Sequence, residues 1–124
     1  MIDPLINEYE NISFISCGEN YTAFISKGKV YTFGSGYNGK LGHGNETSHL
    51  IPKLIKKYKN ISFISCGLEH TAFISKECIY TFGLGRDGQL GHGNEEDQYK
   101  PKLIEGYENV SFVSCGGNHT AIII

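Results

Sequence analysis

Apolar and polar residues alternate in short runs along this chain, the pattern of half-buried β-strands. In Ile12–Cys17 the alternation predicts Ile12, Phe14 and Ser16 on one face and Ser13, Ile15 and Cys17 on the other. A glycine-containing turn separates this run from a second strand at Thr22–Ser26. Lys27-Gly28-Lys29 reads as a tight hairpin. Val30-Tyr-Thr-Phe33 makes a third strand, rich in the β-branched and aromatic residues that suit a pleated surface. A short fourth strand is expected at Lys53–Ile55, with Pro52 at its start, where no ladder donor is lost. No stretch combines a 3.6-residue period, an N-cap and the length that a helix needs.

The same pattern then returns. Ile12-Ser-Phe-Ile-Ser-Cys17-Gly18 recurs as Ile61-Ser-Phe-Ile-Ser-Cys66-Gly67 and as Val110-Ser-Phe-Val-Ser-Cys115-Gly116, two steps of 49 residues (17 to 66, 66 to 115). Aligned at that offset, residues 12–60 and 61–109 are identical at 31 of 49 positions. The chain divides into residues 1–11, the tail of a preceding unit in which Leu5 and Ile6 match Leu54 and Ile55; a first repeat, 12–60; a second, 61–109; and a partial third, 110–124. Four strands in about 50 residues, repeated, predict an all-β fold, a partial β-propeller of four-stranded antiparallel blades. About eleven strands leave it either open or completed by assembly, because bare ends of a repeat array cost solubility.

Composition sharpens the picture. Glycine makes up 16 of the 124 residues, and ten of the 16 fall in two copies of one loop, Gly34, Gly36, Gly39, Gly42, Gly44 and their partners 49 residues on. Leu41 and Leu90 are expected to tuck under these loops as plugs. With 11 Lys+Arg against 13 Asp+Glu, and Arg86 the sole arginine, the chain lacks the basic excess of a nucleic-acid binder. Neither a signal-peptide pattern nor a membrane-spanning apolar run is present, so no membrane is expected. Cys17, Cys66 and Cys115 are copies of one structural position rather than a disulfide framework. Reduced thiols in an intracellular setting, cytoplasmic or nuclear, are the expectation.

Three segments carry a family resemblance: Cys66-Gly67-Leu68-Glu69-His70-Thr71, Ile79-Tyr80-Thr81-Phe82-Gly83 and Gly88-Gln89-Leu90-Gly91-His92-Gly93. Together, and in register over nearly the whole chain, they resemble the regulator of chromosome condensation repeat family. The resemblance implies a seven-bladed propeller, which needs roughly 350 residues at about 50 per blade. Phe33 and Phe82 stand where the family usually has Trp, and Tyr21 stands where the other units have His70 and His119. The resemblance also implies functions: guanine-nucleotide exchange on a small GTPase with chromatin association, or adaptor and inhibitor roles.

Candidate chemistry is weak by comparison. Gly34-Ser-Gly36-Tyr-Asn-Gly39 and Gly83-Leu-Gly85-Arg-Asp-Gly88 match G-x-G-x-x-G formally, but no helix can open on the third glycine to hold a pyrophosphate. Cys66 with His70, and Cys115 with His119, have a zinc-like spacing. Their copies lie one blade apart and Tyr21 breaks the set, so each Cys reads as a small buried hydrophobe and each His as a hydrogen-bonded strand-end group. His43 and His92 are expected to hold backbone carbonyls in the glycine loops. Serines and histidines that recur in every unit are scaffold before they are an active site, so no catalytic residue, metal or cofactor is assigned.

Positions that differ between units are more informative. Glu19/Leu68/Gly117, Asn20/Glu69/Asn118, Tyr37/Arg86, Asn38/Asp87 and Lys40/Gln89 fall in turns and loops and read as free surface. Tyr37, Arg86, Tyr99, Asp87 and Glu69 are therefore the candidate partner-binding residues, with Tyr and Arg favoured as anchors. The expected function is a non-enzymatic protein-interaction module. One alternative is an exchange-factor-like regulator of a small GTPase, although there is no blade-interrupting insertion and no basic run beyond Lys56-Lys57-Tyr58-Lys59. The other is self-association to complete a propeller.

Overall fold

In the computed structural model, which describes residues 9–124, the chain is all β. Ten strands form two complete antiparallel meanders and a hairpin. The first blade contains β1 (Ile12–Cys17), β2 (Tyr21–Ser26), β3 (Lys29–Gly34) and β4 (His49–Leu54), side by side in that order. The second contains β5 (Ile61–Cys66), β6 (His70–Ser75), β7 (Cys78–Gly83) and β8 (Gln98–Leu103). β9 (Phe112–Cys115) pairs with β10 (Thr120–Ile123) as the opening half of a third unit. The matches of Leu5 and Ile6 lie outside the described residues. Among the described residues, no helix is long and apolar enough to cross a membrane.

The strand faces differ from simple alternation at one place in each blade. A bulge between Ile12 and Phe14, repeated between Ile61 and Phe63, inserts a residue into the first strand of each blade. Ile61 therefore shares a face with Ile64 and Cys66, all buried, and the expected grouping of Ile12 with Phe14 is corrected. The displaced phenylalanines instead pack on one another from blade to blade with tilted rings. Phe14 and Phe63 lie 4.3 Å apart and Phe63 and Phe112 4.5 Å apart, centroid to centroid.

The fourth strand is also longer than expected. β4 starts at His49, and Pro52 sits within it. It is an edge strand, so the missing proline donor costs nothing. Between Thr32 paired with Lys53 and Gly34 paired with His49 the register slips, and the extra residues carry Leu50 and Ile51 outward. The β2–β3 hairpin has φ of 53° at Lys27 and 74° at Gly28, the geometry of a two-residue type I′ turn. At the equivalent turn Lys76 (51°) and Glu77 (64°) take the same conformation without a glycine.

Packing occurs between blades. Tyr21, Ala23 and Ile25 of β2 meet Ile64, Cys66 and Phe73 of the second blade, with Leu41 and Phe82 closing the cluster. A second cluster joins Ala72, Ile74 and Ile79 to Val110 and Val113. β6 is thus covered on both faces, and every one of its residues is buried. Full burial of a side chain such as Phe73 stabilises by about 1.5–3 kcal/mol. In β10, Ala121 and Ile123 are exposed among the described residues.

Each interface repeats the same polar ties. The Cys66 backbone N–H donates to Ser16 Oγ (3.0 Å), and the Cys115 N–H to Ser65 Oγ (2.9 Å). The Cys66 and Cys115 thiols donate to the carbonyls of those same serines. Burial pushes the Cys66 thiol up to about 12 and the Cys115 thiol to about 11.

Candidate functional site

The antiparallel order places the β1–β2 and β5–β6 turns at the same end of the blades as the long β3–β4 and β7–β8 loops. The first glycine loop, residues 35–48, is held from below. Leu41 is buried beneath it, as the plug reading expects. The Thr32 hydroxyl donates to the Leu41 carbonyl (2.8 Å), and His43 Nε2 lies 2.9 Å from the same hydroxyl. Because that hydroxyl proton is already used, His43 donates from Nε2. Burial, with Lys53 and His49 nearby, lowers His43 to about 4, consistent with a neutral ring. The second loop repeats the arrangement through Thr81, Leu90 and His92. The loop histidines therefore hold a threonine hydroxyl rather than backbone carbonyls.

Above this plug the loop turns through a single 3₁₀ turn, Tyr37–Gly39, with Asn38 at φ 63°. Lys40 follows, and its side chain is buried. Its ammonium meets Glu69 Oε1 at 3.2 Å, while the Asn38 amide donates to Glu69 Oε2 at 2.9 Å. The Tyr21 and Tyr37 rings flank the ammonium at 5.8 and 5.9 Å, within cation–π range. Glu69 thus reaches back from the second blade to clasp the first loop, and its carboxylate is engaged inside the chain. Lys40, Gln89 and Asn38 are buried, so the expectation that all divergent loop positions are free surface is corrected at these three. Lys40 is polar in sequence but carries its own counterion across the blade boundary.

Tyr99 comes to the same loop from β8. A Cβ on Gly39 (φ 75°) would stand 2.3 Å from the Tyr99 ring, so only glycine allows this approach. The Tyr99 hydroxyl donates to Glu46 at 2.5 Å, and this bond raises the phenol above its ordinary range. Tyr37 projects from the loop, 58 % exposed. The structure therefore gathers Tyr37, Tyr99 and Glu69 around the first glycine loop. Arg86 and Asp87 stand exposed on the second, one blade along.

Tyr21 takes the histidine role at its strand end. Its hydroxyl lies 2.9 Å from the Thr71 hydroxyl, as His70 Nε2 lies 2.9 Å from that of Thr120. It also meets the His70 carbonyl. Burial is the largest cause lowering His70 to about 4. Among the described residues no three His, Cys, Asp or Glu side chains gather as a metal site would require. Sequence reasoning did not single out Leu50, which is 89 % exposed, or Leu68 beside the Glu69 clasp. The available signal for Leu50 was its alignment, 49 residues upstream, with Tyr99.

Stacked four-stranded meanders joined by identical ties define a β-propeller repeat protein. The sequence profile of the regulator of chromosome condensation (RCC1) repeat matches residues 27–74 and 76–123, and the chain belongs to that family. The profile divides the repeat at the β2–β3 hairpin rather than before β1. Among curated proteins, the human X-linked retinitis pigmentosa GTPase regulator is 59 % identical over 46 residues, covering 35 % of this chain and 4 % of that protein. The human probable E3 ubiquitin-protein ligase HERC4 is 54 % identical over 43 residues, covering 34 % and 4 %. Among solved structures, Prp20p from Saccharomyces cerevisiae, described with its binding to Gsp1p and histones, superposes with a TM-score of 0.82 at 21 % identity over 90 % of this chain and 30 % of its own. Human WBSCR16 gives 0.81 at 26 % identity over 93 % and 31 %. The chain thus spans about 4 % of these curated relatives and about 30 % of the solved chains.

Proposed function

We propose that the chain is a non-enzymatic protein-interaction module that binds a protein partner through the glycine-loop end of its blades. One observation carries this reading. On a scaffold whose two full units share 31 of 49 residues, Tyr37, Tyr99, Arg86 and Asp87 vary between units and stand at the surface. Tyrosine rings lose little freedom on binding, and the arginine guanidinium presents five donors in a fixed fork, which is why both serve as anchors. Glu69 contributes by fixing the first loop. The binding that describes Prp20p supports a protein partner for a fold of this type. The setting proposed is cytoplasmic or nuclear.

The test is site-specific photocrosslinking in cells. A photoreactive side chain at position 37 or 86 should give discrete adducts, and the same group at Lys27, on the opposite hairpin end, should not. Adducts from position 27 alone, or none from either loop, would overturn the proposal.

A second reading is regulation of a small GTPase, favoured by the match to a GTPase regulator. It predicts faster release of labelled GDP from a candidate GTPase at micromolar protein. An unchanged rate across a GTPase panel retires it and leaves the interaction reading standing.

A further inference from the structure

A cleft of about 380 Å³ lies between β4 and β8, the last strands of the two complete blades, and it collects positive charge. Lys53 from β4, Lys56 and Lys57 from the connection after it, and Lys100 from β8 line it together with His43 and Tyr58. Among the described residues no carboxylate lines it. Lys29 and Lys59 stand in an adjoining hollow that shares Lys56, Lys57 and Tyr58. Six of the 11 cationic side chains are thus gathered at one blade boundary, in a chain of net charge −2. All six are exposed. The ion pairs among the described residues are Lys27 with Glu10 and Lys40 with Glu69, so none of the six is neutralised there. His43 registers the resulting field: burial, and next the Lys53 charge, lower it to about 4.

The walls of the cleft are fixed across the boundary. The Tyr58 hydroxyl donates to the Pro101 carbonyl at 3.3 Å, and the Tyr58 ring packs on Phe73 and Tyr80 at 5.5 and 5.3 Å. The Gly44 N–H donates to the Tyr99 carbonyl at 2.8 Å. A Cβ on Gly44 would stand 2.8 Å from Lys100 Cε, so the lysine stem lies against the loop. The charges also break the repeat. Leu54, Ile55 and Tyr58 return as Leu103, Ile104 and Tyr107, but Lys56, Lys57 and Lys59 become Glu105, Gly106 and Glu108. Lys57 holds φ at 87°, where its counterpart Gly106 has 92°. A side chain in that region is strained, so lysine stands where glycine is the relaxed choice.

We infer that this cleft binds a compact, soluble polyanion carrying several phosphate groups. Lysine ammoniums act on phosphate as point charges and need no planar fork. A phosphomonoester brings about two negative charges at neutral pH, so the six lysines match about three such groups. A long polyanion running from blade to blade is disfavoured, because Glu105 and Glu108 hold the equivalent places one unit on. The site uses none of Tyr37, Tyr99, Arg86 and Asp87, so it stands or falls separately from partner binding at the loops.

The test titrates the isotope-labelled chain with inorganic tripolyphosphate at about 0.15 M ionic strength, where isolated surface charges are largely screened. Saturable binding is expected, with amide shifts concentrated at His43, residues 53–59 and Lys100. The variant Lys56→Glu/Lys57→Gly/Lys59→Glu copies the chain's own second unit and should weaken binding at least about tenfold while remaining folded by far-UV circular dichroism. Lys53→Gln and Lys100→Gln, single changes at exposed positions, should each weaken it about threefold and decide the matter if the triple variant does not fold. Lys76→Gln, on the hairpin of the second blade, should leave it unchanged. No saturation at millimolar tripolyphosphate, undiminished affinity in the cleft variants, or shifts spread equally over Lys27, Lys76 and Arg86 would each overturn the inference. Equally tight binding of citrate, or tighter binding of a short DNA duplex, would do the same.

Discussion

Glu69 offers a quantitative test of how the blades are locked together. The ammonium of Lys40 is 1 % exposed and meets the Glu69 carboxylate at 3.2 Å. Glu69→Leu leaves that ammonium buried with no counterion among the described residues. Breaking a buried pair from one side costs about 3–5 kcal/mol. Because the Glu69 side chain is 27 % exposed, water reaches the gap, and about 3 kcal/mol is expected. Replacing both partners of a buried ion pair by apolar residues of similar volume is close to neutral, because no charge is left without its counterion. The double variant Lys40→Met/Glu69→Leu should therefore cost within about 1 kcal/mol, far less than the single change. Urea unfolding followed by far-UV circular dichroism reads both. With a slope of about 1.5 kcal/mol per molar urea, the single variant lowers the midpoint by about 2 M and the double by less than about 0.7 M. A single change that costs under about 1 kcal/mol, or a double variant as unstable as the single, refutes the view that Lys40 depends on Glu69.

Three further outcomes follow from the geometry. His70 and His43 are held near 4 in the folded chain and stand at about 6.5 when unfolded, so the unfolded state binds more protons between these values. Stability is full above pH 6.5 and falls as pH drops toward 4; thermal melts should show this slope, and His70→Tyr, copying Tyr21, should flatten it, whereas an unchanged slope would exclude His70 as a contributor. Glu77→Gly should raise stability by about 0.5–1 kcal/mol by removing a left-handed strain that Gly28 avoids, and a lower melting temperature would contradict this. Thiol titration of the native chain should modify exposed Cys17 before Cys66, whose buried thiol is pushed up to about 12 and donates to Ser16; equal rates would show that the first interface opens readily.

Much of this architecture is legible in the residues because one motif is written twice and begun a third time. The Thr-Ala-Phe-Ile and Tyr-Thr-Phe-Gly segments, rich in β-branched and aromatic residues, form strands where they are expected. Ile-Ser-Phe-Ile-Ser-Cys does not settle its own faces, since Ile61 could share a side with Phe63 or with Ile64. The bulge in the pairing with the next strand decides. Lys40 shows the same limit at the candidate site. Its burial depends on Glu69, 29 residues away, and no local pattern reports such a pairing. Tyr37, Arg86 and Asp87 stand exposed as their divergence suggests, but divergence alone does not mark surface, since Asn38, Lys40 and Gln89 diverge as well and are buried. Glu69 diverges too, having acquired an internal partner.

The serine-to-cysteine stitches between successive sheets make cohesion a matter of adjacent pairs alone. Such a chain melts like a short stack of coins held by friction: the middle one is gripped twice, the outer ones once. Amide exchange should therefore be slowest in β6 and quicken toward both termini, giving the molecule a built-in order of loosening that runs from its flanks to its centre.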